Sequence, residues 1–335
     1  MSTADVVAVI LWLGVTIYAV LGGADFGAGL WDLLAGSAEQ GKRPRGLIDA
    51  SIGPVWEANH TWLIFDLVIL WSAFPLAFAS LMSTLYVPLT LAAFGIILRG
   101  SGFAFRKHTI QLAGQRAFGA TFALSSVITP FFLGTALGAI ASGRVPAGNA
   151  AGDPWSSWLN PTSVLVGGLA IATGAFVAAV FLVAAARRRG DADLEDYFRR
   201  RALGMGIVAG GLAVAGLFVL RADAPVLYAG LSGRGLPLVV LSVSLGGGGL
   251  VLLARGVARG IRVVAAGAVT AIVWGWGLAQ LPAILPGSLT IDAAAAPAGT
   301  LDALIVISIA AAITIGPSLA LLFILDGRSR LEADR

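Results

Sequence analysis

Cysteine is absent from the 335 residues. That excludes disulfides, thiolate nucleophiles and Cys-ligated zinc or iron–sulfur centres. Histidine and methionine are nearly as scarce. His60 and His108 are the only histidines, and Met1, Met82 and Met205 the only methionines. They are too few and too scattered to supply haem ligand pairs, so no metal site is expected and His60 reads as a hydrogen-bonded interior residue. Charge is thin as well: 12% of the residues are charged against 58% hydrophobic, and the mean hydropathy is +0.89. A soluble domain needs a larger charged surface. The pI near 9.9 is no sign of nucleic-acid binding, because the basic residues fall between apolar runs. No basic n-region precedes the first apolar stretch, which runs on past the length of a signal-peptide core and is expected to be a retained span.

What is present is apolar sequence in long, continuous runs. A helix needs about 20 such residues to cross a bilayer core of roughly 30 Å, and barrel strands would alternate instead. The expectation is an all-α integral membrane protein forming one polytopic membrane domain over residues 1–335. Nine spans can be read: approximately 5–34, 50–73, 76–99, 116–142, 162–186, 202–222, 235–254, 261–283 and 302–325. The second and third are split at Phe74-Pro75 as a tight helical hairpin. With nine spans, 19 of the 22 Lys and Arg fall on one side, leaving Arg144, Arg221 and Arg234 on the other. The positive-inside rule then puts the N-terminus outside and the C-terminus in the cytoplasm. Trp155 and Trp158 fit an outer aromatic belt. Pro88, Pro130 and Pro317 predict kinks. Gly23 and Gly27 form a GxxxG pair suited to close helix contact. The run Gly246–Gly249 fits either a flexible stretch or a lipid-facing weak point, and residues 190–197 read as a solvated acidic loop. No internal repeat is evident.

Four ionisable side chains stand out at hydrocarbon depth: Asp25, Glu57, His60 and Asp66. Each costs about 2.5–3.5 kcal/mol on insertion scales unless it meets a partner, water or protein. The competing explanation for each is a structural hydrogen bond between helices. Asp25 and Glu57 lie at similar depth on consecutive helices near the basic side, which suits a proton route; a cation site is the rival. Asp66 is nine residues further along, an additional polar site. The densest cluster is Gly53-Pro54-Val55-Trp56-Glu57-Ala58-Asn59-His60-Thr61-Trp62. Two tryptophans, an acid, an amide and a histidine cannot all face lipid, so one face is expected against protein, with Arg99 and Arg106 approaching from the next loop.

That cluster, with Asp25-Phe26-Gly27-Ala28-Gly29-Leu30-Trp31 before it and Leu98-Arg99-Gly100-Ser101-Gly102-Phe103-Ala104-Phe105-Arg106 after it, resembles subunit II of the cytochrome bd-type quinol oxidases, including the cyanide-insensitive branch. The likeness lies within the first 106 residues. It implies two four-helix bundles plus a peripheral helix, in a heterodimer whose subunit I bears haems b558, b595 and d and the quinol site. It leaves room for a small single-span accessory subunit and for a bound quinone or lipid, and implies no catalytic residue in this chain and no nucleic-acid partner. The complex oxidises quinol and reduces oxygen to water with protons from the cytoplasm. Subunit II would stabilise the haem-bearing subunit, with Asp25 and Glu57 matching acids implicated in proton delivery. Trp56, Asn59, His60, Trp62, Arg99 and Arg106 would serve the partner interface. One departure is plain: many members carry an acid where Gly22 stands. Outside this family, a transporter coupled to H⁺ or Na⁺ through Asp25 and Glu57, or a structural membrane chaperone, would share the composition. Transporters usually show repeats and broken helices in matching halves.

Overall fold

Ser2 starts the first helix with a capping box: its hydroxyl accepts from the Asp5 amide while Asp5 accepts from the Ser2 amide. From there the chain is helical almost throughout in a computed structural model that describes residues 1–37, 39–52, 56–108, 112–257 and 259–333. Side chains are described for all of these except 52, 56, 103, 104, 106–108, 112–118, 319, 320 and 322–333. The elements are α1 (Thr3–Leu33), α2 (Lys42–Ile52), α3 (Trp56–Ala73), α4 (Pro75–Thr84), α5 (Tyr86–His108), α6 (Leu112–Ala141) and α7 (Pro161–Arg188). They continue as α8 (Ala192–Asp223), α9 (Pro225–Ser232), α10 (Leu236–Ala254) and α11 (Ile261–Gln280). A small hairpin of β1 (Ala283–Leu285) and β2 (Leu289–Thr290) leads to α12 (Ile291–Ala294) and α13 (Ala298–Ala333).

Among the described residues seven helices are long and apolar enough to cross a membrane, and the bent pair α3–α4 makes an eighth. The apolar part of α5, Tyr86–Gly102, is shorter. The break at Phe74-Pro75 is present, but α4 leaves α3 at 119° and the chain turns again before Tyr86. The return leg is thus α5, not a single helix over 76–99. Pro75 sits at the first position of α4, where its missing amide costs nothing. Pro88 likewise falls in the first turn of α5 rather than within a span, whereas Pro130 and Pro317 do lie inside helices. The acidic stretch after Gly190 is not a loop. Gly190 takes a left-handed turn, and Asp191 caps α8 by accepting from the Leu194 amide. Asp193 and Glu195 follow in the first turn, where the helix dipole favours them.

Packing divides the long helices into two groups of four. In the first, α1 packs on α3 and α6, and α5 on α6; in the second, α7 packs on α8 and α11, and α10 on α8 and α11. Helix α7 also meets α1 and α6, so it joins the groups, while α13 rests outside on α1 and α3. Glycine makes the α1–α7 crossing close: a Cβ on Gly27 would stand 2.1 Å from the Gly174 carbonyl oxygen. Trp31 then donates from Nε1 to the Ala175 carbonyl at 2.8 Å. At the basic end Arg43 of α2 grips Asp191 through two bonds of 2.9 Å. The Leu194 amide first, and then Arg43, hold the Asp191 carboxyl below its usual range. Arg45 closes on Asp32 at 2.9 Å. At the opposite end Arg144 binds Asp223 at 2.6 Å. Trp158 there is buried against Phe132, leaving Trp155 as the exposed member of the expected belt.

Candidate functional site

Positions 14, 18, 22, 25 and 29 of α1 follow one another at steps of three or four and share a face. That face meets α3, α5 and α6. At its centre Arg99 is 0% exposed and Asp25 is 3% exposed. The Arg99 Nη2 donates to Asp25 Oδ1 at 2.7 Å and to the Asp25 carbonyl at 3.0 Å. Its Nη1 donates to the Ser126 hydroxyl, which in turn donates to the Phe122 carbonyl at 2.7 Å. Phe26 and Phe122 flank the guanidinium at 5.0 Å and 4.3 Å, contacts that attract a cation to the ring face.

This geometry explains the Asp25–Trp31 motif residue by residue. Asp25 is the counterion and Phe26 one of the rings over the charge. Gly27 admits α7. Gly29 admits the cluster itself, since a Cβ there would fall 2.1 Å from the Ser126 hydroxyl and 2.9 Å from Arg99 Nη1. The second motif joins through Asn59, which is buried and donates to the Leu21 carbonyl at 3.4 Å. His60, partly buried, sits beside Tyr18 at 6.2 Å and Phe26 at 5.6 Å between ring centroids. Trp62 is partly exposed and meets the Phe65 ring edge at 6.1 Å.

The fold therefore brings together Asp25, Asn59, His60 and Arg99. It does not place Glu57 among them: Glu57 is exposed and begins an outward stripe with Thr61, Ile64, Val68 and Trp71. Arg99 was expected to approach from the loop after the third span, and the structure corrects this. The helix runs through Gly100-Ser101-Gly102, so Arg99 lies inside α5 with its counterion in the same chain. Trp56 and Arg106 have side chains outside the described residues, as has His108. Asp66 is buried away from the pair, facing Gly14. At Gly22 a Cβ would come 2.7 Å from the Tyr18 ring, so Tyr18 fills the space where an acid was looked for. Sequence reasoning missed Tyr18, Phe122 and Ser126; only their position within apolar runs could have marked them. Among the described residues no three His, Asp or Glu side chains converge on one point.

A profile of the family described as cytochrome bd terminal oxidase subunit II matches residues 3–325. The chain belongs to that family. It is 32% identical over 114 residues to the cytochrome bd ubiquinol oxidase subunit 2 of Bacillus subtilis (strain 168), covering 34% of this chain and 33% of that protein. With the cytochrome bd-I ubiquinol oxidase subunit 2 of Escherichia coli (strain K12) it shares 27% over 143 residues, 42% of this chain and 37% of the other. These alignments span only about a third of the relatives' length. The fold likeness is wider. A chain of the bd oxidase from Geobacillus thermodenitrificans superposes with a TM-score of 0.82 at 26% identity, over 97% of this chain and 98% of that one. Subunit II architecture thus extends well past residue 106, where the recognisable motifs stop. Family and apolar helices together make this a multi-pass protein of the bacterial inner membrane.

Proposed function

We propose that this chain is the subunit of a quinol-oxidising, oxygen-reducing complex that holds no haem itself, steadies its haem-bearing partner and feeds it protons from the cytoplasmic, basic end. The observation that supports this most directly is the convergence of the three motifs on one buried Arg99–Asp25 cluster. A fully buried ion pair is a weak stabiliser; its presence at the meeting point of the motifs suits a fixed electrostatic role. His60 packs against the rings of Tyr18 and Phe26, which suits an interior contact rather than a haem ligand.

In this reading Glu57 is the proton-delivery acid. It stands at the basic end of the outward stripe of α3, whose apolar members Ile64, Val68 and Trp71 are exposed and suited to a membrane partner. Asp25 is the inner carboxylate of the route: Oδ1 is fixed by Arg99, while Oδ2 is buried without a donor. Asn59, Trp62 and Arg99, with Trp56 and Arg106, shape the side of the chain that meets the partner. The test is Glu57→Gln in the assembled complex. The expected result is lower oxidase turnover, or delayed proton uptake, with haem content intact. Loss of all haem at normal expression would make Glu57 an assembly residue instead, and unchanged turnover would remove it from the proton route.

A further inference from the structure

Asp66 has no part in the cluster above, yet it is only 8% exposed at hydrocarbon depth on α3. Helix α1 comes close enough to cover it because residue 14 is glycine: a Cβ there would fall 1.9 Å from Asp66 Oδ1. That oxygen is buried and has no hydrogen-bond partner. One turn along α1, the Tyr18 hydroxyl is also buried without a partner, and so are Asp25 Oδ2 and Arg99 Nε further along. Thr129 Oγ1 is another; it packs where a Cβ on Gly95 would stand 2.3 Å away, one turn of α5 before Arg99. The stretch of α1 from Gly14 to Asp25 measures about 16 Å at 1.5 Å per residue. Native interiors leave few polar atoms unpaired, and bound water is the usual partner when several of them line one space.

We infer that Tyr18, Asp66 and the open oxygen of Asp25 line an internal hydrated track through the first helix group, and that Asp66 is a proton-binding site at its far end. The site has the right chemistry for this. Of the titratable or charged groups on the elements packed on α3, Tyr18 of α1 is next to Asp66, and Asp25 with Arg99 lies further along the same seam. Helix α4 has none, and the described side chains of α13 include only Asp302, which is exposed. Among the described residues no cation stands opposite the Asp66 carboxyl, so a proton is what would remove its unpaired charge. The carboxylate gains one proton, delivered through water and the Tyr18 hydroxyl, and returns it the same way. The inference rests on the chain working within the proposed complex but not on Glu57 being the entry.

The test is infrared spectroscopy of the membrane-reconstituted complex in H2O and D2O. A carboxylic-acid C=O band that shifts on deuteration and disappears in Asp66→Asn is expected. Tyr18→Phe should slow that shift by at least about tenfold, the loss of one relay group, with the haem spectrum unchanged. An unaltered band region in Asp66→Asn, a band that never exchanges, or the same exchange rate in Tyr18→Phe would each overturn the proposal. If Asp66→Asn does not assemble, Asp66→Glu must keep a displaced, exchangeable band. Because the readout is not turnover, the proposal survives a silent Glu57→Gln and can fail alongside an active one.

Discussion

Where the helices of the first group meet, the buried faces carry Asp25, Asn59, Asp66, Arg99, Ser125, Ser126 and Thr129. Where those of the second group meet, they carry Val177, Ala179, Val183, Phe198, Ala202, Leu253, Ile261 and Ala265. Among the described residues α8, α10 and α11 bury no polar side chain to the same degree. Lipid offers no hydrophobic drive for helix association, so small residues and tight contact suffice for the second group. The first group bears the added desolvation of a charged pair, which stability alone does not call for. Two solutions to one packing problem stand side by side in a chain, and in the proposed function only the first is also shaped for chemistry.

The largest expected effect comes from breaking the buried pair on one side. Arg99→Leu leaves Asp25 without its counterion in the interior, at a cost of about 3–5 kcal/mol. The yield and thermal midpoint of the solubilised complex should both fall sharply. Removing the pair whole, in Arg99→Leu with Asp25→Leu, should recover most of that stability without recovering turnover, since apolar replacement of a buried pair is often neutral or better. If single and double variants melt alike, the charge in the first group is not what sets it apart.

Much of this contrast was legible in the sequence. The membrane class follows from composition, and the polar half was marked by Asp25, Glu57, His60 and Asp66 standing in otherwise apolar runs. What the sequence hid was partnership. Arg99 looked like a span end; only the continuation of α5 to His108 shows it to be interior. Glu57 and Asp25 share a depth, but rotation about α3 sends Glu57 outward, and periodicity over so uniformly apolar a helix gives no phase to read. The acids after Gly190 were read as a loop because hydropathy is blind to capping, although Asp191 with Asp193 and Glu195 is a helix start.

The glycines allow a milder test of the same comparison. At the α1–α7 crossing a Cβ on Gly174 would lie 2.6 Å from the Gly23 carbonyl oxygen. Backbone faces backbone there, so Gly174→Ala must part the helices, at about 1–3 kcal/mol for overpacking. On α10 the Gly246–Gly248 run points to open space, with nothing within 4 Å of an added Cβ. Gly247→Ala should leave the thermal midpoint unchanged or raise it, by up to about 1 kcal/mol of helix propensity. Equal losses from both would mean that α10 is covered by a neighbour in the complex.

The smallest effect belongs to the other Arg–Asp pair, at the end opposite the basic one. Asp223 accepts from Arg144 at 2.6 Å, from the Thr162 hydroxyl at 2.6 Å and from the Thr162 amide at 3.1 Å. Partial burial pushes its carboxyl upward, but the bonds from Arg144 and Thr162 outweigh that and hold it below the ordinary 3.8. A carboxyl depressed in the folded state stabilises fully above the unfolded value, and the contribution drains away as pH falls through the folded one. The thermal midpoint of wild type should therefore exceed that of Asp223→Asn at neutral pH, and the two should converge on acidification below about pH 4. The neutral-pH gap should be far smaller than for Arg99→Leu, because solvent reaches Arg144 and screens the pair. A gap that persists into acid would mean that Thr162 and helix packing, not the charge on Asp223, tie the ends of α7 and α8 together.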